Sequence, residues 1–230
     1  MMKKIINLIL ILTLIFSSYK VVSKLNEYKK ADNIYNELQS EKDNLNSNNN
    51  IIDLTNINED YIGWIEIPNT NINYPVLQSE DNNYYLKRDI YKNYLASGSI
   101  FLDYRNNDFS DKNTIIYGHY MRNNTMFGQL KNFKEEKFFY TNNIIKILKP
   151  NGDILEYKVF SAYTTSATDN YTQINFNNDE EYKEFLSTII DKSMFKTNET
   201  LNIDDKILTL STCSYEFEEA RTVVHAKLMN

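Results

Sequence analysis

The chain contains a single cysteine, Cys213, at the end of a strand-like run. The run begins at Ile207 and is apolar and β-branched until it reaches the small polar pair Ser211 and Thr212. This pattern is typical of a buried strand that delivers its last side chain to an exposed end. A free thiol has a pKa of about 8.5, so a nucleophilic role at neutral pH requires a base or a positive neighbour. A small buried hydrophobe is the alternative interpretation of a lone cysteine.

A positive neighbour follows in the sequence at Arg221, which begins the next strand-like run, residues 222–228. If the two runs are adjacent strands, the thiol and the guanidinium emerge at the same end of one sheet. The fixed fork of donors on arginine suits a carbonyl oxygen that becomes an oxyanion. A surface ion pair with the acidic residues of the intervening loop is the alternative.

The chain has two histidines in different settings. His119 follows a strand-like run that ends at Gly118, which places an imidazole where a strand breaks into a loop. His225 lies inside the last run, where alternation predicts a structural side chain on one face of the strand. Cys213, His119 and Arg221 together therefore predict a Cys-His-Arg site for acyl transfer.

The composition limits the class of protein that carries this site. The chain has 230 residues, of which 42% are hydrophobic, enough for one core with an appendage. A net charge of -6 without a basic stripe argues against nucleic acid as a partner. One cysteine excludes an internal disulfide and a thiolate-rich metal site, and two histidines argue against zinc, so no metal or other cofactor is predicted.

The first 55 residues are predicted to lie outside the compact domain. Residues 1–23 hold an apolar run that as a helix spans roughly 27 Å, close to the thickness of a bilayer core. An uncleaved, single-pass anchor is favoured over a cleaved signal peptide because Val21-Val22-Ser23 fits a cleavage site weakly. Residues 24–55 predict a helical stalk or linker. Apolar residues recur at helical spacing in this segment, and they are Leu25, Tyr28, Ala31, Tyr35, Leu38 and Leu45. A solvated spacer is an equally good interpretation.

Residues 56–230 predict a single, mostly β domain that closes as a barrel or nearly so. The predicted helices are short, and they cover residues 80–88, 125–139 and 179–190. The predicted strands cover residues 61–67, 72–77, 99–103, 113–117, 144–148, 154–164, 207–213 and 222–228.

The residues of the proposed site resemble those of a class B sortase. Thr209-Leu210-Ser211-Thr212-Cys213 is similar to the TLxTC signature of that family, Tyr117-Gly118-His119 to its histidine segment, and Arg221 to its arginine. Further similar stretches extend the resemblance from about Asn56 to the end, and they are Gly63-Trp64-Ile65, Asn73-Tyr74-Pro75-Val76, Gly98 to Asn106 and Thr125-Met126-Phe127. The helix predicted over residues 179–190 matches the insertion that marks class B.

The resemblance implies a closed eight-stranded β-barrel, tethered by an N-terminal membrane helix outside a Gram-positive cell. It implies that Cys213 cleaves a C-terminal sorting motif of surface proteins after threonine and forms a thioester. An amine of peptidoglycan, or of its lipid-linked precursor, would then resolve the thioester. His119 would be the acid and base, and Arg221 would stabilise the oxyanion or orient the peptide. The positions that match sorting-peptide contacts of the family are Asn82, Leu86, Tyr171 and Ser211.

Two alternatives remain at this point. An L,D-transpeptidase-like cell-wall enzyme is also a Cys-His-Arg acyl-transferase, but it has a compact His-Gly-Cys-x-Arg cluster that is absent here. A catalytically silent surface binding module could keep a sortase-like barrel without turnover. The presence of Cys213, His119 and Arg221 together favours an active enzyme.

Overall fold

The structure, a computed structural model, describes residues 2–47 and 51–229. Its centre is a closed barrel of eight strands. The strands are β1 (Tyr61–Glu66), β2 (Asn73–Leu77), β3 (Ile100–Leu102), β4 (Asn113–Tyr117), β5 (Ile144–Leu148), β6 (Ile154–Ser166), β7 (Ile207–Cys213) and β8 (Ala220–Leu228). The predicted closed eight-stranded barrel is confirmed, and each predicted strand is present with its ends shifted by at most a few residues.

The order of strands around the barrel brings the end of the chain next to its middle. The order is β1-β2-β3-β4-β7-β8-β6-β5, and β1 pairs with β5 to close the ring. β4 and β7 run parallel, whereas β7 and β8 are antiparallel. The end of β4, the end of β7 and the start of β8 therefore lie at one rim of the barrel.

In the part of the chain that the structure describes, three α-helices and three short 3₁₀ helices surround the barrel. The α-helices are α1 (Met2–Ser47), α2 (Glu136–Thr141) and α3 (Asp179–Asp191), and the 3₁₀ helices are Tyr84–Lys87, Gly128–Lys134 and Asn170–Thr172. α3 lies between β6 and β7 in the chain, as predicted. The side chain of Asn178 caps its first turn by accepting a hydrogen bond from the Glu181 amide at 2.9 Å.

Most of the buried apolar side chains form one main core, which extends from the barrel strands to α1 and to the loops around them. Its largest fully buried side chains include Trp64, Tyr85, Phe127, Phe133 and Tyr157. α3 buries Tyr182, Phe185, Leu186 and Ile189 in a second cluster, against Phe160 of β6 and Ile207 of β7. β7 therefore contacts the main core through Leu208 and Leu210 and the α3 cluster through Ile207.

The second half of α1 packs on the barrel, whereas its first half is exposed. Ala31, Tyr35 and Leu38 are buried. The hydroxyl of Tyr35 donates to the carbonyl oxygen of Gly98 at 2.7 Å, and the ammonium of Lys42 donates to Asn73 Oδ1 at 3.0 Å. Most of the apolar face predicted from residue 24 onward therefore contacts the barrel, whereas Leu25 at its start is exposed.

Part of the segment that the sequence assigns to a stalk or linker, residues 24–55, therefore packs against the barrel domain. Ile52 and Leu54 are also buried in the main core. Residues 48–50 of this segment lie outside the described residues. The sequence pattern showed that one face of the helix is apolar, but it did not show which surface covers that face.

Candidate active site

Cys213 and Arg221 lie opposite each other in the antiparallel pair of β7 and β8. Cys213 is the exposed last residue of β7, whose other residues are all buried. The guanidinium of Arg221 donates hydrogen bonds from Nη1 to the carbonyl oxygens of Glu219 at 3.2 Å and Ala220 at 3.1 Å. The register therefore brings the thiol and the guanidinium to the same edge of the sheet, as the sequence predicted.

His119 reaches the same rim from the parallel strand β4. Tyr117 of β4 pairs with Ser211 of β7, and His119 and Cys213 each stand two residues further along their chains. The imidazole donates a hydrogen bond from Nε2 to the carbonyl oxygen of Leu86 at 2.7 Å. This bond fixes the orientation of the ring, because a carbonyl oxygen can only accept.

Gly118 lets the chain pass close to Ile100 and Phe127 between β4 and His119. A Cβ atom at this position would lie 2.4 Å from Ile100 Cδ1 and 2.8 Å from the ring of Phe127. These distances are far inside van der Waals contact, so a side chain would displace the segment that carries the imidazole. The hydroxyl of Thr212 also donates to the Gly118 carbonyl oxygen.

One cavity of about 190 Å³ contains all three predicted chemical groups in its wall. Of the predicted peptide contacts, Asn82, Leu86 and Ser211 line this cavity, and Tyr171 does not. The full lining is Asn82, Leu86, Phe101, Tyr117, Gly118, His119, Ser211, Thr212, Cys213 and Arg221.

Tyr171 lies behind the cavity wall. Its side chain is buried, and its hydroxyl shares a hydrogen bond with Ser211 Oγ at 3.0 Å. Burial raises the pKa of Tyr171, so the hydroxyl stays protonated and can hold Ser211 in place. The geometry gives Tyr171 an indirect place at the site, which its position in the sequence could not show.

A buried carboxylate that the sequence analysis did not select organises one wall of the cavity. Asp103 accepts hydrogen bonds from Arg105 Nη2 at 2.8 Å, from Tyr117 Oη at 3.0 Å and from Asn82 Nδ2 at 3.1 Å. Burial opposes ionisation of Asp103, but the hydrogen bonds and charge of Arg105, with the Tyr117 hydroxyl, hold its pKa below the usual value. Arg105 Nη2 also donates to the Thr172 carbonyl oxygen at 3.1 Å.

The sequence offered one signal for this carboxylate, an acidic residue two positions before one of its few arginines. That signal is weak because the partners Asn82 and Tyr117 are distant in sequence. Within residues 2–47 and 51–229, no group of three His, Cys, Asp or Glu side chains could hold a metal ion.

His225 lies away from the cavity, in the interior of the sheet. Thr209 Oγ1 donates to Asn113 Oδ1 at 2.6 Å, so its oxygen is left to accept from His225 Nδ1 at 2.9 Å. Nε2 then accepts from the Tyr163 hydroxyl at 2.9 Å. Burial lowers the pKa of His225 to about 3. The neutral ring is satisfied at both nitrogens, which is the structural role that alternation along the strand indicated.

A closed β-barrel with a thiol, an imidazole and a guanidinium around one cavity at its rim defines a cysteine-dependent acyl-transferase. The model of the Sortase domain family matches residues 65–229 of the chain. The chain belongs to the sortase family, and its relatives place it in class B as a cysteine transpeptidase.

One curated relative covers nearly the whole chain. This protein, Sortase B of Staphylococcus aureus (strain NCTC 8325 / PS 47), is 36% identical over 234 residues, which are 98% of this chain and 96% of the relative. The match includes the N-terminal helix as well as the barrel. A match of this length to a sortase B argues against the alternative of an L,D-transpeptidase-like enzyme.

Solved structures show the same fold. Clostridium perfringens sortase B is 43% identical with a TM-score of 0.74, and the match covers 77% of this chain and 98% of that one. A Staphylococcus aureus sortase B-substrate complex is 35% identical with a TM-score of 0.78, and the match covers 89% of this chain and 98% of that one.

Proposed function

We propose that the chain is a membrane-anchored, extracellular transpeptidase that joins surface proteins to the cell wall. It cleaves a C-terminal sorting motif after threonine and transfers the new carboxyl end to an amine of peptidoglycan or of its lipid-linked precursor. The observation that carries this proposal is the convergence of Cys213, His119 and Arg221 on one open cavity. The family membership supports the reaction class.

The first half-reaction forms a thioester. The Cys213 thiolate attacks the carbonyl carbon of the threonine, and Arg221 stabilises the negative charge that develops on the carbonyl oxygen. The bond from that carbon to the nitrogen of the next residue then breaks. His119 gives its proton to the leaving amine, so the tail departs as a neutral amine.

The second half-reaction restores the enzyme. An acceptor amine attacks the thioester carbonyl, and His119 takes the proton that the amine loses as the new amide bond forms. The Cys213 sulfur leaves as a thiolate. Because the energy of the peptide bond is kept in the thioester, the exchange of one amide for another needs no ATP and no cofactor.

The cavity walls have the chemistry to hold an extended peptide. Asn82, Leu86 and Ser211 offer an amide, an apolar surface and a hydroxyl around the thiol. Tyr171 supports this wall through its hydrogen bond to Ser211. A peptide in this cavity would also touch Leu86, whose carbonyl oxygen orients His119, so peptide binding and base orientation are coupled.

The N-terminal half of α1 is the proposed anchor. An 18-residue window of this helix has a mean hydropathy of 2.1, and none of it is buried against the rest of the protein. Its C-terminal half is fixed to the barrel through Tyr35 and Lys42. A continuous helix would therefore hold the barrel close to the membrane rather than on a flexible tether. We propose that residues 1–23 form a single-pass anchor, with the barrel outside the cell.

The test of the reaction uses the full chain in detergent micelles and a peptide library with threonine fixed at the scissile position. Added amines should yield new amide products after threonine, which mass spectrometry identifies. If only the free-acid product formed with every amine tried, the enzyme would be a hydrolase, and this result would contradict the transfer step. For the anchor, the full chain should stay in membranes after alkaline washing, whereas the chain from residue 24 should be released. Release of both would contradict the anchor.

A further inference from the structure

Two tyrosines, one half-buried and one exposed, join the loop after the proposed base to the loop after the proposed nucleophile. Tyr120 directly follows His119, and Tyr215 is the second residue after Cys213. Their ring centroids lie 5.3 Å apart in an edge-to-face arrangement, which is a favourable geometry for two aromatic rings. Tyr215 is nevertheless 71% exposed. Such a surface at the edge of a reaction site is available to a ligand.

Two cations lie over the faces of these rings. Lys131 Nζ is 5.6 Å from the centroid of Tyr120 and 3.5 Å from its hydroxyl oxygen. The guanidinium of Arg122 is 5.8 Å from the centroid of Tyr215. We call Tyr120, Arg122, Lys131 and Tyr215 the rim cluster. Attraction between cation and ring holds the charges beside the cavity without neutralising them.

Neither cation of the rim cluster has an acidic partner in the part of the chain that the structure describes. Lys134, by contrast, forms an ion pair with Glu216 of the same loop that carries Tyr215. Glu218 and Glu219 of that loop make no ion pair with Arg122 or Lys131 within 4 Å. In a chain with a net charge of -6, two unpaired cations at the rim of the site mark a place for an anion.

We propose that the rim cluster is an acceptor subsite, which binds a carboxylate of the peptide whose amine resolves the thioester. This inference rests on the proposed function. The acceptor amine must reach the carbonyl carbon bound to Cys213, while the sorting peptide occupies the cavity near Asn82 and Leu86. The rest of the acceptor then lies across the rim. Arg122 offers a fork of donors that matches a carboxylate, and Lys131 offers a second charge.

The experiment compares two acceptors that differ only in this carboxylate, triglycine and triglycinamide. KM for each acceptor is measured with the full chain in detergent micelles and a saturating sorting-motif peptide. Exposed ion pairs are worth up to about 1 kcal/mol, so KM for triglycine should be about three- to fivefold below KM for the amide. The double variant Arg122→Gln/Lys131→Gln should raise KM for triglycine to the level of the amide.

A matched control removes the same charge elsewhere. Lys137→Gln/Lys183→Gln changes two exposed lysines of α2 and α3, and this variant should keep the preference for triglycine. Rising salt should reduce the preference in the parent enzyme. Equal KM values for the two acceptors in the parent, or an unchanged preference in the rim variant, would overturn the subsite while cleavage of the sorting peptide continued. A parent enzyme that cleaves no peptide would instead overturn the proposed function and the subsite with it.

Discussion

The hydroxyl of Thr212 donates a hydrogen bond to the carbonyl oxygen of Gly118 at 2.7 Å. This bond joins the residue before Cys213 to the residue before His119, across the parallel pair of β7 and β4. The Gly118 amide also donates to the Ser211 carbonyl oxygen at 3.3 Å. Two hydrogen bonds, one from a side-chain hydroxyl and one from a main-chain amide, thus hold together the segments that carry the proposed nucleophile and base.

Thr212→Val keeps the shape of the side chain and removes the donor. Because the Gly118 carbonyl oxygen then loses a buried partner, we expect the free energy of unfolding to fall by about 1–2 kcal/mol. We also expect kcat/KM for the sorting peptide to fall about tenfold or more, since small errors in the placement of catalytic groups are costly. Denaturant unfolding and steady-state kinetics measure the two effects. Thr188→Val on the exposed face of α3 is the control, and an equal loss of activity there would contradict the argument.

Substitutions at the two histidines should have different effects, one on activity and the other on stability. We expect His119→Ala to lower kcat by about 100-fold or more, because it removes the general acid and base. His225→Ala should instead lower the free energy of unfolding, because it removes the buried partner of the Tyr163 hydroxyl and one of the two hydrogen-bond partners of Thr209. Peptide cleavage assays and denaturant unfolding of both variants test this difference. Equal losses of kcat in the two folded variants would mean that the base is assigned to the wrong residue.

Burial of neutral His225 predicts acid-sensitive stability. In the unfolded chain the imidazole takes up a proton near pH 6.5, whereas in the fold its pKa is about 3. Between these values the unfolded state binds more protons, so stability falls as the pH falls, with a slope of up to about 1.4 kcal/mol per pH unit from this residue. Unfolding measured from pH 7 to pH 4 should show a smaller slope in His225→Gln. The same slope in both proteins would contradict a neutral buried ring.

Asp103→Asn should weaken peptide binding more than it slows the chemical steps. The carboxylate holds Tyr117 and Asn82, which line the cavity, and it pairs with Arg105. We expect a loss of about 2 kcal/mol in stability, because hydrogen bonds to a charged group are lost, and a higher KM for the sorting peptide. Asp191→Asn at the exposed end of α3 is the matched control. An unchanged KM in a folded Asp103→Asn enzyme would show that the network does not shape the cavity.

The elements, and the three residues that meet at the cavity, could be predicted because their signals are local. Apolar runs, turns and an amphipathic helix are short patterns, and Cys213, His119 and Arg221 each stand at the end of such a run. The alternation of side chains along β8 also indicated a structural role for His225, in contrast to His119. These signals act over a few residues, so the sequence carries them directly.

The supporting contacts could not be predicted because they depend on barrel closure and on contacts between distant segments. Tyr171 approaches Ser211, and Asp103 meets Asn82, only because distant strands and loops come together. The apolar face of α1 was visible in the sequence, but its burial against the barrel was not. The contact of Tyr120 with Tyr215 likewise requires β4 and β7 to be neighbours.

In the proposed reaction, Cys213 forms a thioester with the threonine of a sorting motif. The direct measurement is the intact mass of the full chain after brief incubation with a cleavable sorting-motif peptide and no amine. We expect a mass increase that corresponds to the acyl group of the peptide up to threonine. The adduct should lie on Cys213, be removed by hydroxylamine and be absent from Cys213→Ala. Cleavage by Cys213→Ala at the parent rate, or an adduct on another residue, would contradict it.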